Sequence, residues 1–150
     1  MIANTTNVPA SLADVLAYEH PGVVRRYCKE HMATPEEAAE IFREMLKWLY
    51  LSYRATEGPG GFGCVMLPEI EKIDWMWHTF LLFTQDYADF CARYFGVFLH
   101  HVPNESEEEA PADEAVFRAV LEKQYSFVYD VLGEETLTAW HDRCRYAARK

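Results

Sequence analysis

Asp74 and His78 stand four residues apart, and His100 and His101 close the same aromatic-rich run, "IDWMWHTFLLFTQDYADFCARYFGVFLHH". On a helix, a carboxylate and an imidazole at that spacing share one face and can touch. Such a pair can bind a divalent metal, orient and activate an imidazole for acid–base work, or form an ordinary hydrogen bond that anchors the helix. Two donors do not complete a metal centre. If the chain is extended at the histidine pair, adjacent side chains point to opposite sides, so one of them faces His78. The candidate ligand set is therefore His78, Asp74 and one of the two adjacent histidines, His100 or His101. Two imidazoles and one carboxylate form a facial set with open positions, suited to iron, manganese or zinc. The plainer alternative also stands: a histidine of this turn can simply bond a backbone carbonyl at the helix end.

The element that must position these groups is a long helix after Pro68. At about 100° per residue, Ile70, Ile73, Trp77, Phe80, Leu81, Thr84, Ala88, Cys91 and Phe95 form one stripe, the expected core face. His78 borders that stripe, in a sector with Glu71, Asp74, Gln85 and Asp89. Gly96 is a natural stop, and Thr84 offers a place to cap a new helix. Tyr87 lies almost opposite His78 if the helix is continuous, and joins the site only if the helix breaks near Thr84. Trp77, Tyr87, Gln85 and Cys91 are the expected supporting residues. "VFLHHVP" then reads as extended or irregular chain.

Elsewhere, Ser11 with Asp14 suits a helix start, and "VVRRYCKEH" after Pro21-Gly22 suits a short second helix. Thr34-Pro35-Glu36-Glu37 combines an N-cap, a proline at the first helical position and a capping-box glutamate ahead of "EEAAEIFREMLKWLYLSYRA". "TEGPGGFG" reads as a plain loop, since neither phosphate-binding glycine pattern is complete. "NESEEEAPADE", residues 104 to 114, reads as a solvated acidic loop grading into a helix N-terminus. "EAVFRAVLEKQYSFVYDVLG" reads as a helix stopped at Gly133. "EETLTAWHDRCRYAARK" reads as a last helix with cations at its C-terminal end. The expected fold is all-α, a single-domain irregular bundle of five to seven helices, with residues 1–10 a disordered terminus and 11–150 the helical domain.

With 150 residues the chain buries a sizeable core without help from disulfides. A net charge of −10 argues against nucleic acid as the partner. The start "MIANTTNVPA" has neither the charge nor the apolar run of an export signal, and no apolar run is long enough to span a membrane, so a cytoplasmic protein with no membrane association is expected. Cys28, Cys64, Cys91 and Cys144 show no paired spacing and read as independent thiols. Cys91 sits in the core stripe and reads as a small hydrophobe. Cys64, in the glycine-rich loop, is a conceivable nucleophile beside His78, although no signature surrounds it. Trp140-His141 reads as packing on a terminal helix, with the imidazole near the negative helix end. His20 and His31 fall near helix ends and carry no further signal.

Residues 73–103 resemble the core motif of the glycine-rich domain-containing protein-like family, in its short bacterial form. The resemblance is carried by Asp74, Trp77-His78, Tyr87, Gly96 and His101. Two departures are plain. Phe80 stands where plant members often carry a second histidine, and the glycine-rich tail is missing, with seven glycines in all. The resemblance implies a shared site at Asp74, His78 and His101 rather than a reaction. Two functional classes follow for the chain: a small helical protein with a His/Asp metal or acid–base site, or a non-enzymatic acidic binding module, such as an adaptor, immunity or biosynthetic accessory protein, for a basic partner. Whether it works with a protein partner or as a homodimer is left open by the residues.

Overall fold

Capping chemistry sets where the helices begin. In the computed structural model, which describes residues 10–57, 61–102 and 113–148, Ser11 Oγ accepts from the Asp14 amide and Asp14 Oδ2 accepts from the Ser11 amide, both at 3.1 Å, opening α1 (Leu12–Leu16). The cap of α2 (Pro21–His31) is a histidine: His20 Nδ1 accepts from the Val23 amide at 3.1 Å, with Pro21 in the first helical position. Thr34 caps α3 (Pro35–Thr56) by accepting from the Glu37 amide at 3.1 Å. Glu37 reaches out to Lys72 Nζ, 3.6 Å away.

The 22-residue α3 is the axis of the molecule, packing against α1, α2 and two of the later helices. Its inner positions include Ile41, Met45, Trp48, Leu49 and Leu51. Glu44 is also buried, held between Lys47 Nζ at 2.9 Å and the Trp140 indole N–H at 2.8 Å. Both partners are needed, since a buried carboxylate without them costs several kcal/mol.

The long helix expected after Pro68 is two helices. A single 3₁₀ turn (Pro68–Ile70) leads into α4 (Glu71–Leu81), and α5 (Thr84–Tyr94) starts after a break at Leu82 and Phe83. There the Leu82 amide bonds the Thr79 carbonyl at 3.2 Å and the Phe83 amide bonds the Phe80 carbonyl at 3.0 Å, so the turn tightens and the chain changes direction. Thr84 is the first residue of α5 rather than its cap. The expected stripe holds through Phe80 and again at Cys91 and Phe95, but between them Leu81 is only half-buried and Thr84 and Ala88 are exposed, while Tyr87 and Phe90 take the inner face. Aromatic packing rewards the turn, because Phe80 meets Tyr18, Phe42, Tyr87 and Phe90 at centroid distances of 5.0–6.0 Å.

Asp113 caps α6 (Glu114–Leu132) by accepting from the Ala115 amide at 2.8 Å. The acidic run lies mostly outside the described residues, as do residues 1–9 of the terminus expected to be disordered over 1–10; Ala10 is placed, its amide donating to the Tyr94 carbonyl at 3.4 Å. Gly133, at φ 98°, ends α6 and leads into α7 (Glu134–Leu137). The last helix is shorter than expected. It passes into a π-helical turn (Thr138–Asp142), and Cys144, at φ 49°, turns the chain away. Tertiary anchors take over from helix continuation: Tyr146 OH donates to Glu40 Oε2 at 2.7 Å, and the Tyr146 carbonyl accepts from the Lys72 amide at 2.9 Å. Among the described residues the fold is all-α, with seven α-helices and no strand. No described helix is long and apolar enough to cross a membrane.

Candidate metal centre

One turn of α4 separates Asp74 from His78, and the carboxylate faces two imidazoles at once. Its Oδ1 accepts from His101 Nε2 at 2.8 Å, and its Oδ2 lies 3.8 Å from His78 Nε2. The two imidazole rings lie 4.4 Å apart, centroid to centroid. One ligand atom from each of the three residues lies within 4.8 Å of the others. Exposure differs across the set: the side chains of His101 and Asp74 retain 13% and 21%, and that of His78 retains 54%. The site thus has a sheltered side and an open one.

His101 comes from the strap of residues 97–102 that follows α5, and a short relay sets its position. Gly96, at φ 72°, terminates α5 in the left-handed region, with its amide on the Cys91 carbonyl at 3.0 Å. Tyr87 OH then donates to the Leu99 carbonyl at 2.6 Å, while accepting from the Trp77 indole at 3.1 Å. Trp77 closes the relay by meeting the His101 ring edge-on at 4.4 Å. Burial holds the Tyr87 phenol well above its ordinary pKa, so it remains a neutral donor. The break between α4 and α5 makes this possible, since a continuous helix would put Tyr87 on the far side.

Of the two adjacent histidines it is His101 that joins Asp74 and His78, while His100 packs on Phe98 at 4.7 Å. Gln85 and Asp89, expected in the same sector as Asp74, are exposed on α5 and do not line the cavity beside the site. Cys91 is fully buried, and desolvation raises its thiol pKa, as befits a core residue. His141 is drawn to a carboxylate rather than to the helix end: its Nδ1 donates to Glu69 Oε2 at 2.8 Å.

The three candidate ligands border a cavity of about 710 Å³. Its other walls come from α3 through Trp48 and Ser52, and from the loop of residues 61–67 through Cys64 and Met66. Gln124 of α6 clamps that loop, accepting from the Val65 amide at 2.6 Å and donating to the Val65 carbonyl at 2.8 Å. These wall residues escape a reading of the sequence, because their approach depends on contacts 59 positions apart. Burial pushes the Cys64 thiol up to about 12, which leaves it protonated and unsuited to nucleophilic attack beside His78.

A model of the UCP032817-like family matches residues 11–126 of the 150. The chain belongs to that family. The UCP032817-like match takes in α1 to α5, the strap with His101, and α6 through its clamp Gln124. No curated protein and no solved structure matches the chain.

Proposed function

We propose that Asp74, His78 and His101 hold one divalent first-row metal ion and that its remaining coordination positions face the cavity. The observation that carries this reading is the convergence of three donor atoms within 4.8 Å at the wall of a cavity. Donors bound to a common ion at about 2.0–2.2 Å stand roughly 3–3.5 Å apart, so small side-chain rotations bring the set to ligation. Two imidazoles with one carboxylate leave up to three positions open on an octahedral ion, the pattern of iron(II), manganese or zinc sites that activate water or oxygen. His101 Nε2 and the Asp74 carboxylate would exchange their mutual hydrogen bond for the ion, the imidazole then carrying its proton on Nδ1. The resemblance of residues 73–103 to glycine-rich domain-containing proteins falls on the same three residues and supports the same reading.

Metal analysis tests it. Untagged protein reconstituted with iron(II), manganese(II) or zinc(II) and then desalted is expected to retain about one ion per chain. His78→Ala and His101→Ala should retain none. Wild-type protein that keeps no metal after reconstitution overturns the reading.

A further inference from the structure

The charge balance of the cavity says what can complete the metal centre. Ligating imidazoles are neutral donors and Asp74 brings one negative charge, so a divalent ion in this set leaves one net positive charge. Around it the lining holds no second charge centre of either sign: Asp74 is the only carboxylate, and no lysine or arginine lines the cavity among the described residues. Lys123, on neighbouring α6, is turned to the Phe62 ring, with Nζ 4.5 Å from its centroid. Segments 58–60 and 103–112, which adjoin lining residues in the sequence, contain no lysine or arginine either. A lone positive charge against low-dielectric walls is costly until an anion meets it. One anionic group satisfies that charge. A second carboxylate on the same ligand would lose its hydration with no cation to receive it. Most of the remaining wall is apolar, with Trp48, Met66, Trp77, Phe98 and Leu99, and about 710 Å³ is ordinary room for an organic ligand.

We infer that the cavity takes organic monoanions with a chelating head and an apolar body, the 2-oxo and 2-hydroxy carboxylates being the class that fits. A carboxylate oxygen and the neighbouring oxo or hydroxyl oxygen fill two of the open positions on the ion, displacing water, while the carbon chain lies against the apolar walls. Dicarboxylates of the same length are rejected, because their far end meets no cation. This inference rests on the metal-centre reading. Without the ion the same walls offer the first carboxylate no cation either, so metal loading controls ligand binding.

The test is isothermal titration into zinc-loaded protein at about pH 8, where an ordinary imidazole carries no charge. 2-Oxohexanoate and 2-oxoadipate are matched in carbon number and differ by one carboxylate, and the monoanion is expected to bind at least about tenfold more tightly. 2-Oxooctanoate should exceed 2-oxobutanoate at least about tenfold, because each buried methylene strengthens binding several-fold. It should bind at least about tenfold more weakly to metal-free protein. Ser52→Phe, which fills the cavity from α3, should weaken 2-oxooctanoate at least about tenfold and 2-oxobutanoate far less, in protein with native circular dichroism that still carries zinc. Zinc is measured on the same samples, which separates the two readings. Protein that holds no zinc after loading overturns both. Protein that holds zinc yet binds 2-oxohexanoate and 2-oxoadipate equally, or binds 2-oxooctanoate equally with and without zinc, overturns this inference alone.

Discussion

Among the described residues, three histidine–carboxylate pairs have nearly the same hydrogen-bond length, and their surroundings differ. His20 meets Asp86 at 2.7 Å, His141 meets Glu69 at 2.8 Å and His101 meets Asp74 at 2.8 Å. In the first, both ring nitrogens are committed: Nδ1 accepts from the Val23 amide and Nε2 donates to Asp86, which joins the start of α2 to α5. In the second, Glu69 also accepts from Tyr125 OH at 3.4 Å, and His141 Nε2 is buried with no partner among the described residues. Only the Asp74 pair shares its carboxylate with a second imidazole at the wall of a cavity. A histidine beside a carboxylate is thus no sign of chemistry by itself. What separates a candidate centre from a structural tie is the geometry of the remaining donor positions and the space in front of them.

The contrast can be broken most sharply at the thiols. Raising the Cys64 thiol from 9.0 to about 12 lowers its thiolate fraction about a thousandfold at mildly alkaline pH. Iodoacetamide followed by mass mapping should label the exposed Cys144 readily, and Cys64 and the buried Cys91 far more slowly. The sign for stability follows: the neutral buried thiol favours the fold below its ordinary value of 9.0, and that contribution is lost as pH rises towards about 12. Early labelling of Cys64 in folded protein would mean that the cavity wall is not closed.

At the pairs themselves, His101→Ala should reduce metal affinity by at least about a hundredfold with little change in unfolding free energy, measured by isothermal titration and urea denaturation. Glu69→Ala should do the converse, costing about 2 kcal/mol by stranding His141 and Tyr125 while leaving metal affinity intact. Tyr87→Phe falls between them. It removes the hydrogen bond to the Leu99 carbonyl, so about 1 kcal/mol of stability and a several-fold loss in metal affinity are expected together. His20→Ala should show the smallest effect, roughly 1 kcal/mol from the lost helix cap, and none on metal. If Glu69→Ala lowered metal affinity as much as His101→Ala, the distinction between tie and centre would collapse.

The meeting of Asp74, His78 and His101 was legible in the sequence because its strongest part is local. Asp74 and His78 follow from helical spacing, and the choice of His101 came from the motif resemblance, while spacing alone left His100 equally placed. The helix caps at Ser11 and Thr34 are likewise short-range signals with a mechanism. The break at Leu82 and Phe83 was foreseen only as an option at Thr84, since neither glycine nor proline marks it and the aromatic cluster around Phe80 decides it. His141 and Glu69 are 72 positions apart, and Gln124 and Val65 are 59 apart. No period or cap encodes such meetings, so the cavity wall and the C-terminal turn could be known only from the folded chain.

The strap that carries His101 has a mechanical consequence. Asp74 and His101 are 27 positions apart along the chain, so an ion held by both closes a ring around α5. Such a clasp acts as a reversible cross-link, and a closed loop of that length removes about 3–4 kcal/mol of chain entropy from the unfolded ensemble on the loop-entropy account. The chelate would then be a latch as much as a reagent. Its loading would raise the melting temperature and shield residues 97–102 from proteases, whether or not any substrate is ever turned over.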